Sequence, residues 1–308
     1  MKRGIVLESI LIMAVLACGP GRSASTANQF ASAAGTATFG DKLATADEIS
    51  VRMTGVPALR AGQSLQGWLV GADGKTLASV GPLQPAADGS VSFRWDSPTS
   101  ENLLGHYVGF QATVETGTAG AAPKGPVAFS GTLPTAGRSL FGGGASSPNP
   151  SAVGLKEQTD LAVDHGDKAL AAMQIKAWDE MRAHLEHVIN ILEGQQGKRY
   201  GDYLGTGVPQ NPGDGYGVQL YEKDVVGSLG TSGALASDLD KLDKSFQSDM
   251  NGVEEVCLSV LSLKNPSKAP ALMANLKPRL TAFHDGPVAD LYGMAQKELS
   301  IVIGPPRQ

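Results

Sequence analysis

The apolar residues of this chain change period partway along it, and that change sets what the chain can fold into. Up to about residue 134 they recur at every second position in short runs separated by turn residues. Ile49, Val51 and Met53 alternate in this way, and so do Val108, Phe110, Ala112 and Val114. Beyond about residue 152 they recur at three and four. Trp178, Met181, Leu185, Val188, Ile189 and Leu192 fall on one stripe, and Leu235, Leu239, Leu242, Phe246, Met250, Val253, Cys257 and Val260 on another. Period two places alternate side chains on one face of a strand, whereas a period near 3.6 gathers them on one face of a helix. The expectation is a multidomain β + α chain: an Ig-like antiparallel β-sandwich over 46–134, then a small helical bundle over 152–303.

The stretch 135–151, with Gly142-Gly143-Gly144-Ala145-Ser146-Ser147-Pro148 at its centre, reads as a linker between the two. In the β part, residues 65–70 and 76–83 flank Asp73-Gly74, and Leu83 and residues 91–95 flank Asp88-Gly89. Each Asp-Gly pair offers the positive φ that tight hairpins need. Residues 127–129 close the expected domain. In the helical part Gly194 stands where a helix C′ residue belongs. Shorter helical patterns cover about 155–173, 271–283 and 288–302, with Pro278 expected to kink the second of these.

Lys2 and Arg3 precede an apolar run over 5–17 broken only by Glu8 and Ser9, the layout of a secretory signal peptide and too short to span a membrane. The run ends in Val15-Leu16-Ala17-Cys18-Gly19, which resembles the lipobox of bacterial lipoproteins. The resemblance implies a signal peptide over 1–18 and acylation of Cys18. It further implies anchoring to the extracytoplasmic face of the cell membrane through more than one acyl chain. The alternative is a plain signal peptide cut near Ala24. Residues 19–45 are rich in Gly, Ser, Ala and Thr and read as a flexible tether. Cys257 lies among Val253, Val256, Val260 and Leu261 and reads as a small buried hydrophobe, so no disulfide frame is expected. A net charge of -5 with scattered Lys and Arg offers no basic face for nucleic acid.

Within the β part, Gly67-Trp68-Leu69-Val70, Asp73-Gly74, Ser79-Val80-Gly81 and Asp88-Gly89-Ser90-Val91 follow one another. Later come Phe110-Gln111-Ala112-Thr113-Val114-Glu115, Pro123-Lys124-Gly125-Pro126-Val127 and Ser130-Gly131. Over residues 45–135 this series resembles the extracytoplasmic C-terminal domain of anti-sigma-K factors. The resemblance implies a fold more than an activity. Those factors carry a cytoplasmic sigma-binding region and a transmembrane helix ahead of the domain. Here a signal peptide and a tether stand in that place, so direct sigma-factor binding is not implied.

Two features of the helical part bear on chemistry. His184 and His187 lie one helical turn apart, with Glu180 and Glu186 nearby, His165 on the preceding helix and His284 on another. Metal sites in helical bundles are assembled from facing helices, so His165, Glu180, His184 and His187 form a candidate metal set. The Glu-x-x-His repeat of di-iron sites is missing, and imidazoles bonded to carboxylates beside the apolar stripe are the structural alternative. The second feature is the Gly-rich loop 195–218, long for a helix connection. It presents Tyr200, Asp202, Asn211, Asp214 and Tyr216 as candidate ligand or partner residues. Asp202, Thr206 and Gly207 match positions one, five and six of a calcium loop, but Leu204 and Gly213 break it at positions three and twelve. The loop's alternative role is to close one end of the bundle with its tyrosines turned inward.

No nucleophile with a partner base, phosphate-cradling loop or cysteine pair is in clear context, so no catalytic residue is assigned and the chain is not expected to be an enzyme. The expected function is that of a membrane-tethered lipoprotein acting as a binding, sensing or interaction module for an envelope protein or small ligand. The alternative is a metal-binding helical bundle centred on His184 and His187. No cofactor is required, and a metal ion is the one the histidines would take.

Overall fold

In the computed structural model, which describes residues 29–118, 120–142, 147–233 and 236–306, the alternating segments form two antiparallel four-stranded sheets. Cys18 and the signal peptide expected over 1–18 lie outside the described residues. The first sheet has the order β5-β2-β1-β8, with β1 at Ala34–Gly40, β2 at Glu48–Thr54, β5 at Val91–Asp96 and β8 at Ser300–Ile303. The second has the order β4-β3-β6-β7, with β3 at Gln63–Gly71, β4 at Leu77–Leu83, β6 at Tyr107–Thr116 and β7 at Val127–Thr132. Buried side chains alternate along β2, where Ile49, Val51 and Met53 point inward, as the period requires.

Three local expectations are corrected. The stretch read as tether contains β1, whose Ala37 and Phe39 are buried and which pairs with β2 (Ala37↔Val51) and β8 (Thr36↔Val302). The helix expected over 288–302 stops at Lys297. Its β-branched tail Ile301-Val302-Ile303 crosses back as β8, with Ile301 and Ile303 buried and Val302 exposed. The Asp88-Gly89 turn is no hairpin, because β4 and β5 belong to different sheets and β5 pairs with β2. Gly89 has φ +77 and its carbonyl accepts the amide of Val56, which ties the turn to the end of β2. Asp73-Gly74, by contrast, joins β3 and β4 as expected, with Gly74 at φ +66.

The residues that carry the β-domain resemblance hold one another. The buried Trp68 indole donates to Thr113 Oγ1 at 2.9 Å, and Thr113 donates to Glu115 Oε1 at 2.6 Å. Glu115 also accepts the amides of Lys124 and Gly125. Burial would raise its pKa, but these donors outweigh burial and hold the carboxyl below its usual range.

The helices follow as α1 (Thr135–Phe141), α2 (Ser151–Gln174), α3 (Trp178–Glu193), α4 (Val218–Thr231), α5 (Ala236–Leu261), α6 (Ala269–Met273), α7 (Leu276–Phe283) and α8 (Ala289–Lys297). The chain is thus a mixed β plus α fold. The segment read as a linker begins with α1, whose Leu140 and Phe141 are buried. The expected apolar stripes of α3 and α5 face inward, and α5 runs unbroken through Asn251-Gly252. Pro278 sits in the first turn of α7, where its missing N–H costs nothing, rather than at a kink. Helix α4 had no counterpart in the sequence reading. One contiguous apolar cluster runs from the sheets into the helices, and Phe141 packs edge-on against Tyr292 of α8 at 5.6 Å.

Candidate metal centre

Helices α2 and α3 are joined by residues 175–177, so they return alongside each other as a hairpin. Lys176 takes φ +60 in that connection. His165 and His187 are equally far from Lys176 along the chain, and an antiparallel hairpin brings such residues level. The three imidazoles of His165, His184 and His187 meet there, each with a ring nitrogen within 4.8 Å of the others. His165 Nδ1 lies 2.9 Å from His184 Nδ1 and 3.2 Å from His187 Nδ1. Of the three, His165 is buried and forms the floor, while His184 and His187 are half-buried.

The far nitrogens favour one tautomer of each outer ring. His187 Nε2 is 3.3 Å from Gln210 Oε1, an acceptor, a contact that suits the tautomer with its hydrogen on Nε2. His184 Nε2 is 3.9 Å from Glu180 Oε1, which favours a proton on the same nitrogen. In those tautomers two lone pairs point at His165 Nδ1, which has either one hydrogen or one lone pair to give. It can satisfy one neighbour and not both. Burial pushes the His165 pKa down to about 4, aided by the neighbouring charges of His187 and His184, and burial followed by His187 lowers His184 too.

The sequence places Glu186 beside the histidines and gives Asn190 no part, and the structure gives both a task on the loop. Glu186, fully buried, accepts the backbone amides of Tyr203 and Leu204 on one oxygen and that of Gln210 on the other. Asn190 exchanges hydrogen bonds with Gly201 and donates to the carbonyl of Gln210. One turn apart on α3, they clamp the Gly-rich loop and so bring Gln210 to His187. Gly194 (φ +67) and Gly217 (φ +92) let the loop's two ends cross: a Cβ on Gly194 would lie 2.1 Å from Tyr216 O.

Four of the five loop residues expected to contact a ligand are engaged within the fold. Asp202 accepts the amides of Gly205, Thr206 and Gly207. Asn211 accepts from Gly213 and donates to the carbonyl of Asn190. Asp214 accepts from the Tyr216 amide and, at 2.6 Å, from the Tyr221 hydroxyl. Tyr216 donates its hydroxyl to Asp224 at 2.7 Å, and burial with that bond pushes its pKa up to about 12. Tyr200 is half-buried at the loop's start and joins none of these contacts. Glu180 stands at the edge of the histidine cluster, on the far side of the His184 ring from Nδ1. His284 lies apart, between Asp160 and Asp285.

A second polar group lies where α3 meets α5. The buried carboxyls of Glu193 and Glu254 adjoin, Arg199 donates to Glu254 Oε2 at 2.7 Å, and one oxygen of each glutamate has no partner. Burial first, then the charge of Glu193, pushes Glu254 up to about 8. Glu222 of α4 is pushed to about 8 by burial and by Asp243.

The cluster on the α2–α3 hairpin is thus a three-imidazole centre of the kind able to hold a transition metal. No family model, curated protein or solved structure matches this chain.

Proposed function

We propose that this protein is a bacterial envelope lipoprotein, anchored through Cys18, that binds one divalent transition-metal ion on His165, His184 and His187. The observation that carries the metal reading is the convergence of three Nδ1 atoms whose lone pairs cannot all be satisfied by one another. A cation resolves that conflict. Three neutral imidazoles select borderline ions such as Zn(II), Co(II), Ni(II) or Cu(II) over Mg(II) and Ca(II), which prefer oxygen. Gln210 on His187 and Glu180 on His184 act as outer partners that keep the metal-facing nitrogens deprotonated.

In this reading the paired sheets form the Ig-like sandwich that resembles the anti-sigma-K extracytoplasmic domain, serving as spacer or docking module, and α2–α8 form the metal-binding bundle. What supports the envelope address is the sequence alone: the charged start, the short apolar run and Cys18 after Val15-Leu16-Ala17.

The metal reading is tested by titrating the full chain with Zn(II) against a chromophoric chelator. One ion per chain is expected. Replacing any of the three histidines by Gln should weaken binding by at least the roughly 10–100-fold seen when outer partners alone are lost. Failure to bind, or binding indifferent to all three histidines, contradicts it. For the anchor, Cys18→Ser should move the protein out of the membrane fraction. Unchanged membrane association with the signal peptide removed contradicts lipidation.

A further inference from the structure

We infer that an ion on the three histidines keeps one coordination position open to solvent, and that this position exchanges water for a small monodentate anion. The inference rests on the metal reading above and concerns what that ion binds in turn.

The chain supplies three donors and no more at this point. Among the described residues, the group of His, Cys, Asp and Glu side chains whose ligand atoms converge here holds His165, His184 and His187 alone. Two carboxylates stand close by, and neither is turned to the centre. Asp164 is paired with Lys168 at 2.6 Å. Glu180 faces His184 Nε2 at 3.9 Å, and the two ring nitrogens of an imidazole point in widely divergent directions. As placed, a group facing Nε2 is therefore turned away from an ion held at Nδ1. The same argument removes Gln210, which faces His187 Nε2.

The donors also come from one side. His184 and His187 lie on successive turns of α3, His165 comes from the adjoining α2, and His165 forms the buried floor beneath the two half-buried rings. An ion of tetrahedral preference with three protein nitrogens retains its fourth position for water or a substrate, as open zinc sites do. Charge then decides what that position takes. Three imidazoles are neutral ligands and leave the ion's double positive charge uncompensated within its shell. Asp164 and Glu180 offset part of this from outside the shell. A small anion that binds through one atom suits such a position better than a bulky or chelating ligand.

The test uses the full chain loaded with one equivalent of Co(II), whose visible bands report coordination, and azide as the probe. The expected result is a spectrum of four-coordinate intensity that azide shifts saturably with one azide per cobalt. Asp164→Asn should give the same starting spectrum and the same shift, whereas Glu180→Gln, which removes the outer partner of His184, should weaken cobalt binding and still leave one azide per cobalt. One cobalt bound through the histidines with no response to azide would overturn the inference while leaving the metal reading intact. So would a starting spectrum altered by Asp164→Asn, since that carboxylate would then occupy the fourth position. If cobalt does not bind at all, the metal reading itself fails.

Discussion

Glu186 and Asn190 differ from their α3 neighbours His184 and His187 in how completely the fold satisfies them. Each oxygen of Glu186 meets a backbone donor, and each side-chain group of Asn190 meets a partner from the loop. Among the histidines, His165 Nδ1 stands within reach of the Nδ1 atoms of both His184 and His187 and can fully satisfy one of them. Polar groups that close their own accounts position a scaffold, whereas groups left in conflict await something from outside. On the proposed reading the loop supports and the imidazoles bind, and the difference can be attacked by substitution on each side.

The largest effect is expected at Glu186. Glu186→Ala leaves three inward-facing backbone amides without an acceptor and should cost about 3–5 kcal/mol in urea unfolding, since each unsatisfied donor costs about 1–3 kcal/mol. A loss below about 1 kcal/mol would show that the clamp is dispensable.

The next effect comes from pH. Glu254 and Glu222 titrate near 8 in the folded chain, well above the value of about 4.3 for an exposed glutamate. A raised folded pKa means the folded state binds the proton more tightly than the unfolded state. The contribution is therefore fully present below about pH 4 and is lost as pH rises through 8. Unfolding free energy should fall by on the order of 2–4 kcal/mol between pH 6 and pH 9. Glu254→Gln should flatten part of that slope, and a profile rising with pH over this range would contradict the assignment.

Asp202→Asn should be milder. It weakens three hydrogen bonds to the loop's own amides at an exposed turn, with an expected loss of about 1 kcal/mol. The smallest effect is expected at the proposed ligands. In the metal-free protein His184→Gln should change stability by no more than about 0.5–1 kcal/mol, because it removes a contact that was never fully satisfied. A loss of several kcal/mol, with metal absent, would make the cluster structural.

How far the sequence reveals this arrangement depends on the range of the interactions. β2 and β6 announce themselves through alternating large apolar residues. β1 does not, because its inward positions are held by Ala37 and Phe39 within a run of small residues, and its outer partner β8 lies at the opposite end of the chain. No local pattern signals a pairing between residues 36 and 302. The same holds in the site. His184 and His187 are legible as an i, i+3 pair, and His165 could be placed from its equal distance to the turn at Lys176. Gln210 carries no signal, since it reaches His187 only because Glu186 and Asn190 seize the backbone on either side of it. Glu186 reads only as a carboxylate near the histidines, because the donors that fill it are backbone amides, which every residue supplies and no sequence distinguishes.

The most direct test of the central claim is X-ray absorption at the zinc edge on the full chain carrying one equivalent of Zn(II). The account predicts a first shell with three nitrogen neighbours at about 2.0–2.1 Å and the outer-shell scattering of imidazole rings, with the ring contribution reduced in His165→Gln. A first shell made of oxygens, or a spectrum identical in wild type and His165→Gln, would contradict it.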